Sequence, residues 1–87
     1  MTKDEATYKG FLECVELLGR DYYEKYEDNS CTGWGVFEKG WMRVLIGISE
    51  TPPKDDGRIL AGEKPFEKYV AVEVNMETGE TREVDMN

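Results

Sequence analysis

The stretch Tyr69-Val-Ala-Val-Glu-Val-Asn-Met-Glu-Thr-Gly-Glu-Thr-Arg-Glu-Val-Asp-Met86 constrains the fold more than any other part of the chain. Val70, Val72, Val74 and Met76 alternate with Tyr69, Ala71, Glu73 and Asn75, the period of two that a half-buried strand requires. Gly79, in Glu77-Thr-Gly-Glu80, can adopt the positive φ that closes a hairpin. Beyond it Arg82, Val84 and Met86 alternate with Thr81, Glu83 and Asp85, so a second strand is expected to return with Val84 on the valine face. A lone two-stranded hairpin is marginal in water, and the rest of the chain has to cover its apolar face.

The cover comes from the other end. Thr2-Lys-Asp-Glu5 has the form of a helix capping box. Behind it Tyr8, Phe11, Val15, Leu18, Tyr22 and Tyr26 recur at steps of three and four, flanked by Leu12 and Cys14, which predicts an amphipathic helix from about Asp4 to about Tyr26. Gly10 and Gly19 each weaken such a helix by roughly 1 kcal/mol relative to Ala, and Gly19 marks where it bends or breaks. Lys9, Glu13, Glu16, Arg20, Glu24 and Lys25 are expected on its water side. Between helix and closing hairpin, Thr32-Gly-Trp-Gly-Val-Phe37 reads as a strand whose glycines suggest a bulge or a close backbone approach. Lys39-Gly40 reads as a turn. Trp41 to Ser49 reads as a strand with Met42, Val44, Ile46 and Ile48 facing the core. Residues 50–68 are a long connection: Pro52-Pro53 and Pro65 interrupt pairing, 54–57 is turn chemistry, and Ile59-Leu60-Ala61 could tuck into the core rim. The expected fold is therefore α+β, one N-terminal helix packed across a four-stranded antiparallel sheet of two hairpins joined by a long loop, in a single domain of residues 1–87.

Charge and residue type narrow the function. A net charge of −8 argues against nucleic-acid binding, whose affinity comes from Lys and Arg, and suits a basic protein partner. With no His and two cysteines, Cys14 and Cys31, outside any CxxC spacing, the chain offers no metal-ligand set. Asp55-Asp56-Gly57 lacks the spacing of a calcium loop, and the glycine pairs lack that of a phosphate loop. No metal, cofactor or catalytic residue is expected, and the chain does not read as an enzyme. With no apolar leader or spanning run, the expectation is a cytoplasmic protein that does not enter the membrane.

What remains is surface. If the branched faces of both long strands meet the helix, Trp41, Arg43, Leu45, Tyr69 and Ala71 share the opposite face with Glu73, Thr81 and Glu83. Trp, Tyr and Arg are the residue types enriched at binding hot spots. Two readings stand: this face is a partner contact or homodimer seam, or the long loop folds over it. Glu73, Glu77, Glu80, Glu83 and Asp85 crowd the closing hairpin beside Arg82, an acidic rim that would steer a basic partner while Trp41 and Tyr69 hold it.

Gly33-Trp-Gly-Val-Phe37 after an N-terminal helix, then Leu60-Ala-Gly62 and a strand ending in Thr78-Gly-Glu80, resembles a family of bacterial polymorphic-toxin immunity proteins. The segment Val70 to Val84 also looks like a PepSY-type hairpin. The chain departs from the immunity pattern in the two glycines of its helix and in the lack of a third aromatic after Val36-Phe37. The resemblance implies a small helix-plus-sheet protein that binds and blocks a toxin or enzyme, and it transfers no binding residue. An anti-defence inhibitor encoded by a phage and acting on a basic nucleic-acid-binding surface, or a structural or dimerisation module, are the alternatives.

Overall fold

The computed structural model describes residues 1–52 and 66–84. The turn expected at 54–57, the segment Ile59-Leu60-Ala61, Pro65 and the pair Asp85-Met86 lie outside them. Helix α1 (Lys3–Leu18) is followed by α2 (Arg20–Tyr26), a 3-10 turn (Glu27–Asn29) and strands β1 (Ser30–Glu38), β2 (Trp41–Ile48), β3 (Lys68–Asn75) and β4 (Thr81–Val84). The strands form one antiparallel sheet in the order β1-β2-β3-β4, with α1 against one face, which is the expected α+β architecture.

The helix starts where the capping box places it. The Glu5 N–H donates to the Thr2 hydroxyl and the Thr2 N–H donates back to the Glu5 carboxylate, at 3.1 and 2.8 Å. The bond from the Thr2 backbone holds the Glu5 carboxyl below its ordinary pKa. The single helix expected to run to Tyr26 is two. Gly19 takes φ +94°, and its N–H closes α1 onto the carbonyls of Val15 and Glu16.

The buried line of α1 is Ala6, Gly10, Cys14, Val15 and Leu18, rotated from the stripe of large residues that the spacing suggested; Tyr8 points out. Gly10 explains the rotation. A Cβ there would stand 2.6 Å from the Val44 Cγ2 and 3.2 Å from the Val74 Cγ2, so the helix backbone rests directly on β2 and β3. Lys9 was expected in water but reaches the Gly79 carbonyl in the β3–β4 turn, joining helix to hairpin.

Under the helix lie Met42, Val44, Ile46, Ile48, Val72 and Val74, all buried as the alternation requires, with Val70 partly buried beside them. β4 departs from expectation. Its register sets Ala71 against Val84, Val72 against Glu83, Glu73 against Arg82 and Val74 against Thr81. Val84 and Arg82 therefore lie on the face away from α1, while Thr81 and Glu83 lie on the helix side. The cause is the connection. The Asn75 side-chain carbonyl accepts the N–H groups of Glu77 and Thr78, the Gly79 N–H donates to the Asn75 carbonyl, and Met76 leaves the strand to donate to Gly40. β3 thus ends one residue before the alternation does, and that shift in parity turns every side chain of β4 over.

The glycines of β1 have a different role from the one expected. The register shift falls between Val36 and Glu38, beyond both. A Cβ on Gly35 would meet nothing within 4 Å and one on Gly33 would make ordinary contact with Leu45, so no close approach among the described residues requires either. Gly47 is the position that does: a Cβ there would meet Phe66 at 2.6 Å.

Candidate functional site

α1 covers β2 and β3, and the sheet continues past it. On the helix side of β1, Thr32, Trp34 and Val36 stand opposite Ile46, Val44 and Met42, beyond the reach of the helix. Trp34 is 64% exposed, Val36 52% and Tyr8, across from them on α1, 64%. Between helix flank and strand runs an open groove of about 300 Å³ lined by Asp4, Thr7, Tyr8, Phe11, Thr32 and Trp34. Phe11 is held edge-on to Tyr23, with ring centroids 5.6 Å apart at 83°, so one wall is fixed by α2. The groove follows from the small residues of α1. A helix seated on Gly10 centres over β2 and β3 and, among the described residues, leaves the outer strand uncovered.

β1 is also an edge. It pairs with β2 on one side, and among the described residues no strand pairs with its other side. Along Ser30–Phe37 there is no charge and no proline, the devices by which edges usually resist pairing. β4, the opposite edge, is four residues long and carries Arg82 and Glu83.

The face away from the helix, where an aromatic and acidic contact surface was expected, is occupied by its own interactions. Glu73 is 4% exposed, not solvated. Its carboxylate accepts from the Arg43 Nε and Nη2 at 3.2 and 3.1 Å and from the Arg82 Nε at 2.7 Å; Arg82 also reaches Glu38 at 3.1 Å. Burial by itself would push the Glu73 carboxyl up, but the hydrogen bonds from Arg82 and Arg43 more than offset it, and its pKa lies below the ordinary carboxylate value. The chain of charges crosses all four strands. The Arg82 guanidinium lies 3.8 Å above the Trp41 ring centroid. Tyr69 packs edge-on to Phe66, whose N–H donates to the Tyr69 hydroxyl at 3.1 Å, and both lie over Gly47.

The residues expected to form one contact surface are therefore divided. Trp41, Arg43, Leu45 and Tyr69 share the face away from the helix, half-buried, with Glu73 buried among them. Glu80 lies exposed in the β3–β4 turn, and Glu83 projects from the helix side, where it is not the cross-strand neighbour of Glu73. Sequence reasoning passed over Trp34, Val36 and Tyr8. The available signal was the apolar parity of β1: Thr32, Trp34 and Val36 fall on one side, and a single helix is too narrow to cover four strands.

The two thiols lie on opposite sides of the sheet. Cys14 is fully buried under α1 with its thiol toward the Val44 carbonyl at 3.5 Å, and burial pushes its pKa up to about 11. Cys31 is exposed and pairs with Gly47, on the face of Phe66 and Tyr69. They can neither form a disulfide nor share a metal ion in this fold. In the native protein a thiol reagent should modify Cys31 alone, and Cys14 should react only on unfolding. Equal rates for both would contradict the placement of Cys14.

Among the described residues no three carboxylates or thiols gather as a metal site would need, and no helix is long and apolar enough to cross a membrane. Compared with known proteins, the chain matches no family model, and no curated protein or solved structure matches it significantly.

Proposed function

We propose that the chain is a non-enzymatic protein-binding module, an acidic inhibitor of the immunity type that blocks a basic partner in the cytoplasm. The observation that carries this reading is the surface between α1 and β1, where Tyr8, Trp34 and Val36 are more than half exposed beside a strand edge without charge from Ser30 to Phe37. Such an edge offers main-chain hydrogen bonds to an incoming extended segment, and the neighbouring rings offer the retained contact. The groove lining supports binding over catalysis, since it holds one carboxylate residue, Asp4, and no second carboxylate, Lys, Arg or Cys among the described residues. The net charge of −8 favours a basic polypeptide and speeds its encounter.

The test is capture from cells of the source organism with wild type and with a Trp34→Ala, Val36→Ser double variant, both side chains being exposed enough to leave folding intact. A basic protein held by wild type, released by the variant and inhibited by added wild type is the expected result. Retention by both would move the surface elsewhere, with residues 50–68 and the face of Trp41 and Tyr69 the next to examine. If the captured protein binds nucleic acid and loses that binding, the anti-defence reading takes over. If wild type sediments as a dimer that the variant dissolves, the surface is a homodimer seam.

A further inference from the structure

The composition of the α1–β1 groove is more specific than an apolar contact patch. Three aromatic residues, Tyr8, Phe11 and Trp34, share its lining with Asp4, Thr7 and Thr32. Aromatic faces carry negative potential and attract cations lying over them, and a carboxylate beside such rings supplies the counter-charge. Elsewhere in this fold the same chemistry is satisfied internally: Lys25 lies over Tyr26 at 5.3 Å, Lys68 over Tyr22 at 4.7 Å and Arg82 over Trp41 at 3.8 Å. The last case is instructive, because the same guanidinium also pairs with Glu73 and Glu38. Ring and carboxylate together hold an arginine on one side of the sheet. On the other side Trp34 and Asp4 line one groove, open to the surroundings.

We infer that this groove receives one arginine side chain of a polypeptide partner, its guanidinium lying on Trp34 between Tyr8 and Phe11 and paired with Asp4. This rests on the reading of the chain as a binder of basic proteins and names what it recognises. Arginine is favoured over lysine by the donor count. A planar guanidinium can stack and still direct N–H groups to a carboxylate and two hydroxyl oxygens, whereas an ammonium is a point charge without a stacking face.

The probe is the tripeptide acetyl-Gly-Arg-Gly-amide, read by amide and indole NMR shifts, against the same peptide with neutral citrulline in place of arginine. The arginine peptide should bind saturably with Kd on the order of a millimolar, shifting Thr7, Tyr8, Phe11, Thr32 and the Trp34 indole. Citrulline should bind at least about fivefold more weakly, Trp34→Ala should abolish the shifts, and Asp4→Asn should weaken binding about threefold to tenfold while flattening its salt dependence. Equal binding of the citrulline peptide would overturn the inference, as would shifts centred on Glu77 and Glu80, which would mean diffuse attraction to acidic surface. A lysine peptide binding as tightly would overturn the assignment to a planar cation. The tripeptide experiment needs no captured partner, so failure here with successful capture by the Trp34 surface would remove the arginine site and leave the binding module standing.

Discussion

Replacing Glu73 with Ala is expected to destabilise the fold by about 3 kcal/mol and lower the melting temperature by roughly 12–24 °C. The glutamate side chain is 5% exposed and accepts from two arginines, so its removal takes a buried acceptor from both guanidinium groups and leaves a gap between them. The loss falls at the low end for a broken buried pair because Arg43 and Arg82 keep 24% and 45% of their side-chain exposure and can turn toward water. For a chain of 87 residues, total stability is only about 4–13 kcal/mol, so the effect is large. Denaturant titration measures it, and a midpoint unchanged within error would show that the carboxylate contributes nothing net.

Acid adds a second readout. The folded pKa of Glu73 is lowered, so its contribution is fully present above the pKa of an unfolded glutamate, about 4.3, and is lost as pH falls through the folded value. The stability gap between wild type and Glu73→Gln should therefore be widest above about pH 5 and close progressively below about pH 4. A gap that widens with acidification would reverse the sign and refute the assignment.

The second large effect is expected at Gly10. Helix propensity alone predicts that Gly10→Ala stabilises α1 by about 1 kcal/mol. The structure predicts the opposite sign. The new methyl would lie 2.6 Å from one Val44 methyl carbon and 2.9 Å from its Cβ, and a valine in a sheet cannot swing aside. Overpacking of this kind costs roughly 1–3 kcal/mol, which offsets the propensity gain, so Gly10→Ala should be a net loss of up to about 2 kcal/mol and Gly10→Leu a loss above about 3 kcal/mol. Combining Gly10→Ala with Val44→Ala should cost less than the sum of the two, because the second change makes room for the first. A more stable Gly10→Ala protein would mean that the helix rides higher on the sheet.

Those two residues also show where the sequence was legible and where it was not. The capping box and the alternation through Met42–Ile48 are local signals, and each stands as the pattern implied, because one turn or one strand decides it. The helix expected to run on to Tyr26 instead divides at Gly19, the weak point the sequence marked. The seat of the helix is not local. Ala6, Gly10 and Cys14 carry little hydrophobicity, so a pattern weighted by apolar size centred on Tyr8 and Phe11, while the sheet selected the line that lets backbone approach backbone. The face of β4 depended on the parity of one connection, set by the Asn75 side chain, and a single residue moved Glu83 to one side and Val84 to the other. Glu73 read as one more acid on a wet strand; its burial comes from Arg43, distant in sequence, and Arg82 across the hairpin, both adjacent only once the register is known. Trp34 stayed hidden for a related reason: its exposure is the outcome of the helix position, which Gly10 decides.

The side of β1 with which no strand pairs among the described residues sets a condition on how the protein can be handled. A strand edge bearing Trp34 and Val36 and without charge from Ser30 to Phe37 is a template for any other extended chain, including the same strand of a neighbouring molecule. At neutral pH two copies each carrying −8 repel one another before their edges can align. Near pH 4.5, where the chain is isoelectric, that repulsion is gone and the edge remains. The acidity of the chain thus also acts as a colloidal guard, keeping the β1 edge of one molecule from pairing with that of another.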